Sequence, residues 1–103
     1  MVLIKIKALN DIQNILDGLI NWNKHQLSYD FCIKYVDKII ETCFDVKNVI
    51  FHKKATYLTH KMFGTYIYNI KFNRRTTWYI IYNIDSMNNI LIERIISNYL
   101  TTE

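Results

Sequence analysis

The side chains able to do chemistry crowd into one stretch of the chain. Between Phe51 and Arg75 stand His52, Lys53, Lys54, His60, Lys61, Lys71, Arg74 and Arg75, with no aspartate or glutamate among them. Asn69 sits two residues before Lys71, Tyr79 follows the arginine pair, and Tyr99 comes near the C-terminal end. Lysine and arginine suit a polyanion such as a phosphate backbone. A tyrosine offers a ring on which a base can stack. A histidine titrates near neutrality and can pass a proton. Such residues suit an anionic partner, either nucleic acid or an acidic protein segment. The sequence carries no P-loop, no glycine-rich phosphate loop, no zinc spacing and no nucleophile triad, so other enzyme classes gain no support.

The charge balance agrees. Formal net charge is +4. Residues 1–50 hold six lysines and six acids, which cancel, whereas residues 51–103 hold seven basic residues against three acids. That asymmetry predicts an anionic partner, either nucleic acid or an acidic protein segment. The 103 residues suit a single domain, 1–103, and at 50% hydrophobic and 15% aromatic they can bury a core. No apolar run reaches the roughly 18 residues of a membrane span. The opening MVLIKIKALND has lysines inside its apolar run and no small-residue cleavage site, so it reads as mature structure. Cys32 and Cys43 fall on a predicted helix and read as buried thiols of a cytoplasmic protein.

The elements that must position these residues follow from hydrophobic periodicity. VLIKIKAL (2–9) alternates and reads as a strand. Asn10 or Asp11 then caps a helix whose stripe is Ile12, Ile15, Leu16, Leu19 and Ile20. Ser28 caps a second helix, with Asp30 in its first turn and Cys32, Tyr35, Val36, Ile39 and Cys43 on one side. A linker of about three residues predicts a helical hairpin. Residues 47–63 are basic, aromatic and irregular, and Gly64 marks a turn. TYIYNIKF (65–72), TTWYIIYNI (76–84) and NILIERIISNY (89–99) read as three strands of an antiparallel meander. The predicted fold is α+β in the order β-α-α-β-β-β, an antiparallel sheet with the hairpin packed on one face.

Strand parity divides that sheet. Tyr66, Tyr68, Ile70, Phe72, Trp78, Ile80, Tyr82, Ile84, Ile90, Ile92 and Ile96 should meet the helices. Asn69, Lys71, Thr77, Tyr79, Asn83, Glu93, Ser97 and Tyr99 should form an open polar face, edged by Arg74 and Arg75 at a hairpin tip. Glu93 reads either as a base or, the favoured reading, as the partner of Lys71 across that face. Arg94 falls on the helix side, which calls for a bulge or for a helix acid as its partner.

With the order β-α-α-β-β-β, and with HKMFGTYIYNIKFN, RTTWYIIYNID and NILIERIISNY in succession, the chain resembles the RelE/ParE superfamily of small bacterial toxins. The resemblance covers residues 60–99 in pattern and 1–45 in topology alone. It implies the toxin of a type II toxin–antitoxin module with a cognate antitoxin, commonly acidic. One branch of relatives cleaves mRNA on the ribosome; the ParE branch instead poisons DNA gyrase. A third reading is a non-catalytic module that docks an acidic antitoxin segment. Nuclease relatives work without cofactor or metal. A base deprotonates a 2′-OH, cations hold the phosphate that it attacks to leave a 2′,3′-cyclic phosphate, and an acid protonates the leaving oxygen. Carried over by position, Asn69 and Lys71 stand where relatives place alternating basic residues. Tyr79 stands where they often have an arginine, a place that Arg75 can take over. Asn98 and Tyr99 stand where they end in arginine or His-Tyr. The expected catalytic set is Lys71, Arg75, Tyr99 and His60. The expected RNA-binding set is His52, Lys53, Lys54, Lys61, Asn69, Arg74 and Tyr79.

Overall fold

The computed structural model describes residues 1–21 and 28–98. The fold is α+β. A short strand β1 (Val2–Ile4) leads into helix α1 (Ile6–Asn21), and α2 (Tyr29–Asp45) ends in a 3-10 turn at Val46–Asn48. Strand β2 (Lys53–Lys54) and the short helix α3 (Leu58–Lys61) precede β3 (Tyr66–Lys71), β4 (Thr77–Ile84) and β5 (Ile90–Ser97). The sheet order is β1-β5-β4-β3-β2. The meander is antiparallel as its turns require, but β1 runs parallel to β5, with Val2 opposite Ile90 and Ile4 opposite Ile92. The sheet is therefore mixed. No described helix is long and apolar enough to cross a membrane.

The N-terminal segment departs from its alternating pattern. Lys5 N–H donates to the Ile92 carbonyl and closes the β1–β5 pair, while the Lys5 carbonyl accepts from Leu9 N–H and opens α1. The strand thus stops at Ile4, and Asn10 and Asp11 lie inside the helix instead of capping it. Tertiary packing overrides the local alternation: Ala8 and Ile12 are buried, and Ile15, Leu16 and Leu19 continue their stripe against the core. The predicted link between the helices falls on residues 22–27, outside the described residues. The start of α2 is as expected, since Ser28 Oγ accepts from Phe31 N–H at 3.0 Å.

The helices cover one face of the sheet. Ile39, Cys43 and Val46 from α2 and its turn meet Ile70, Ile80, Tyr82, Ile90, Ile92 and Ile95 in the main core. The Trp78 indole donates to the Tyr35 hydroxyl at 2.8 Å and ties β4 to α2. Both cysteines are free and buried, and burial pushes the Cys43 thiol up to about 12. Buried in the same core, Tyr82 is likewise pushed up to about 12, first by burial and then by its neighbour Tyr66.

A bulge in β5 rearranges the expected faces. Ile81 lies opposite Arg94 but Tyr82 lies opposite Ile92, so Glu93 is one residue too many for the ladder. Beyond it the parity reverses. Ile95 joins the helix-side core, and Ile96 joins a second cluster on the other side with Ala55, Ile67 and Ile81. Ile96 and Ser97 therefore exchange their predicted sides: Ser97 pairs with Trp78 and is buried. Arg94 uses the helix acid as well as the bulge. Its Nε and Nη2 donate to the Asp11 carboxylate at 2.7 and 3.0 Å, and Ile95 N–H donates to the same group at 2.9 Å. Hydrogen bonding to Asp11 holds the Arg94 guanidinium above its ordinary range.

Candidate nucleic-acid interface

The face away from the hairpin carries the basic residues in ordered rows. Register places Lys53, Ile67, Ile81 and Arg94 in one row, Asn69, Tyr79 and Ile96 in the next, and Lys71 with Thr77 in a third. Beyond that row lies the β3–β4 hairpin tip with Arg74 and Arg75, both exposed. The tip is held by two asparagines. Asn73 Oδ1 accepts from Arg75 N–H at 2.8 Å and Thr76 N–H at 2.9 Å. Asn98 accepts from Thr77 N–H at 3.0 Å and donates through Nδ2 to the Arg75 carbonyl at 2.9 Å. The arginine side chains thus project from a fixed backbone.

This face is not the open polar surface that parity suggested. The segment between β2 and β3 folds over its near half, where Ala55 and Phe63 pack on Ile67, Ile81 and Ile96. Gly64 lets that segment close, because a Cβ there would stand 2.9 Å from Ile81 Cγ2 and 3.1 Å from the Tyr82 carbonyl oxygen. Under the segment lies His60, 0% exposed. Its ring centroid is 5.4 Å from Tyr57 and 4.6 Å from Tyr79. Beside it opens a cavity of about 170 Å³ lined by Lys53, Thr56, Tyr57, His60, Ile67, Asn69 and Tyr79.

Four of the expected residues therefore share one cavity: Lys53, His60, Asn69 and Tyr79. Lys71 continues the same face, and Arg74 and Arg75 stand exposed in the turn beyond it. Lys61 is exposed on α3. Two residues go elsewhere. Lys54 lies opposite Tyr66, on the helix-side parity. His52 is also on that side: its Nδ1 and the Tyr82 hydroxyl are hydrogen-bonded at 2.7 Å, and its ring packs against Tyr66 and Tyr82. Two-residue strand β2 is the reason, since neighbours on a strand point to opposite faces. Tyr99 lies outside the described residues. Glu93 does not meet Lys71. Strand β4 separates them, and Glu93 instead pairs with Lys5 at 3.2 Å and accepts from Asn83 Nδ2 at 3.0 Å.

Sequence reasoning missed Thr56 and Tyr57 as lining residues and Asn73 and Asn98 as the holders of the tip. Asn73 had a signal, because an asparagine opening a turn bonds its own backbone two residues on. Tyr57 had none, since nothing local says that its loop returns to the sheet. Among the described residues no group of three or more His, Cys, Asp or Glu is placed to hold a metal ion. Comparison with protein-family models, curated protein sequences and solved structures returned no match.

Proposed function

We propose that this protein is the toxin of a type II toxin–antitoxin module and that it acts as a ribosome-associated mRNA endoribonuclease. The observation that carries the reading is the acid-free track from Lys53 past Asn69 and Lys71 to Arg74 and Arg75, on the sheet face opposite the helices. That track suits a single RNA strand, with its phosphates on the cations and a base against Tyr79. Lys71 and Arg75 then stabilise charge on the attacked phosphate. Of the two residues expected to transfer protons, His60 is fully enclosed, which leaves Tyr99 for that step. A basic track also fits an acidic antitoxin segment that would cover it. The experiment is induced expression in a bacterial host, with primer extension on abundant mRNAs. New mRNA ends made by the wild type and absent with Lys71→Ala are expected; growth arrest without new ends would sink the nuclease reading.

A second reading has its own support. Tyr79 stands where nuclease relatives often carry arginine, and His60 is fully enclosed. Both favour a non-nuclease toxin that, like ParE, inhibits DNA gyrase, or a module that only docks the antitoxin. A trapped gyrase cleavage complex in a supercoiling assay would establish the gyrase form.

A further inference from the structure

We propose that the cavity beside His60 is a pocket for one unpaired nucleobase, guanine before the others, and so sets a sequence preference. The inference rests on the reading of the chain as an RNA-directed protein and deepens it.

Three clefts stand out among the described residues, and they differ in chemistry. The cleft between α1 and β5, about 550 Å³, has walls of Ile15, Leu19, Ile95 and Ile96, and its one ion pair is already made between Asp11 and Arg94. The cleft beside β1, about 540 Å³, is lined by Leu3, Ile4 and Ile6, and its Glu93 is taken by Lys5. The cavity beside His60 is smaller, about 170 Å³, and no carboxylate lines it. Its aromatic walls are Tyr57 and Tyr79, with the enclosed ring of His60 packed between them at 89° to the first and 44° to the second. Aromatic walls of this kind receive the flat face of a base. A phosphate would instead need several converging donors, and the cavity has one cation, Lys53.

The rim supplies the reading groups. Lys53 lies opposite Ile67, and Asn69 is two residues further along the same face, so both exposed side chains line the cavity from the sheet. A lysine ammonium donates to the O6 and N7 acceptors of guanine, and an asparagine amide both donates and accepts. With a base seated there, the strand's phosphates continue over Lys71 toward Arg74 and Arg75, which hold RNA without regard to sequence.

The test is fluorescence anisotropy of the purified chain with labelled 2′-O-methyl hexanucleotides, uridine throughout except for one central G, A, C or U. The methyl group blocks cleavage, so binding is read apart from activity. The G oligonucleotide should bind about ten-fold more tightly than the all-uridine one. Asn69→Ala and Lys53→Met should each erase most of that ratio. The Arg74→Ala/Arg75→Ala double variant should weaken all four equally and keep the ratio. All substituted residues are exposed, and circular dichroism checks that each variant is folded. Equal affinities for the four oligonucleotides, absence of binding to any, or a ratio that survives both pocket variants would overturn the pocket. The pocket and the function fail separately: wild type that cuts mRNA but shows no base ratio loses only the pocket, and wild type with the ratio but no cuts loses only the nuclease.

Discussion

The two faces of one sheet are built from the same strands and do opposite work. On β4, Trp78, Ile80 and Tyr82 face the helices, while Thr77, Tyr79 and Ile81 face the other way. The first set sits in a core closed by two long helices. The second is closed only in part, by one loop and a four-residue helix, and that loop leaves a cavity with Lys53 at its edge. The comparison teaches that one strand can build a closed core on one parity and, on the other, a smaller cluster around Ile81 that still leaves a cavity open beside it.

The difference can be broken most sharply on the helix side. Ile80→Ala removes a fully buried side chain there and should cost about 4 kcal/mol, read by urea denaturation. Asp11→Ala comes next at about 3 kcal/mol. It leaves the Arg94 guanidinium and Ile95 N–H without their carboxylate, and a double-mutant cycle with Arg94→Ala should show strong coupling.

Alkaline titration sharpens the same contrast. Cys43 and Tyr82 ionise near 9.0 and 10.0 when unfolded, and burial raises both to about 12 in the folded chain. The folded state therefore keeps protons that the unfolded state has lost. The stabilisation is complete below pH 9 and disappears as pH climbs toward 12. The slope should approach about 1.4 kcal/mol per pH unit for each group in that window. Cys43→Ala should flatten the first part of the fall; an unchanged curve would remove the assigned cause.

On the other face the expected stability effects are the smallest. Lys71→Ala and the Arg74→Ala/Arg75→Ala double variant should stay within about 0.5 kcal/mol of wild type. In RNA binding the double variant should lower the slope of log affinity against log salt by about 1.4. A large loss of stability in either variant would mean that this face, too, is structural.

Much of the fold was legible because it rests on local periodicity. The α2 stripe, its Ser28 cap and the three meander strands came from spacing alone. The failures share one physical cause, which is contact between distant parts of the chain. The alternation at residues 2–9 does not reveal that Lys5 must serve both a strand and a helix. Parity counting cannot place an extra residue at Glu93, although the misfit of Arg94 flagged it. At the candidate site, the shared face of Asn69, Lys71 and Tyr79 was legible from β3 and β4. The burial of His60 and the departure of His52 to the far side were not, because the first depends on how the loop before Gly64 returns to the sheet and the second on the pairing of the two-residue strand β2 with β3.

The bulge at Glu93 also makes one residue of β5 separable from the rest. Ile81 lies opposite Arg94 and Tyr82 opposite Ile92, so a β5 without Glu93 is a regular strand in which Ile92 and Ile95 still face the helices and Arg94 still lies opposite Ile81. What such a strand loses is the carboxylate that Lys5 and Asn83 bond. The inserted residue is thus dispensable to the facing of its neighbours and indispensable only to those two partners.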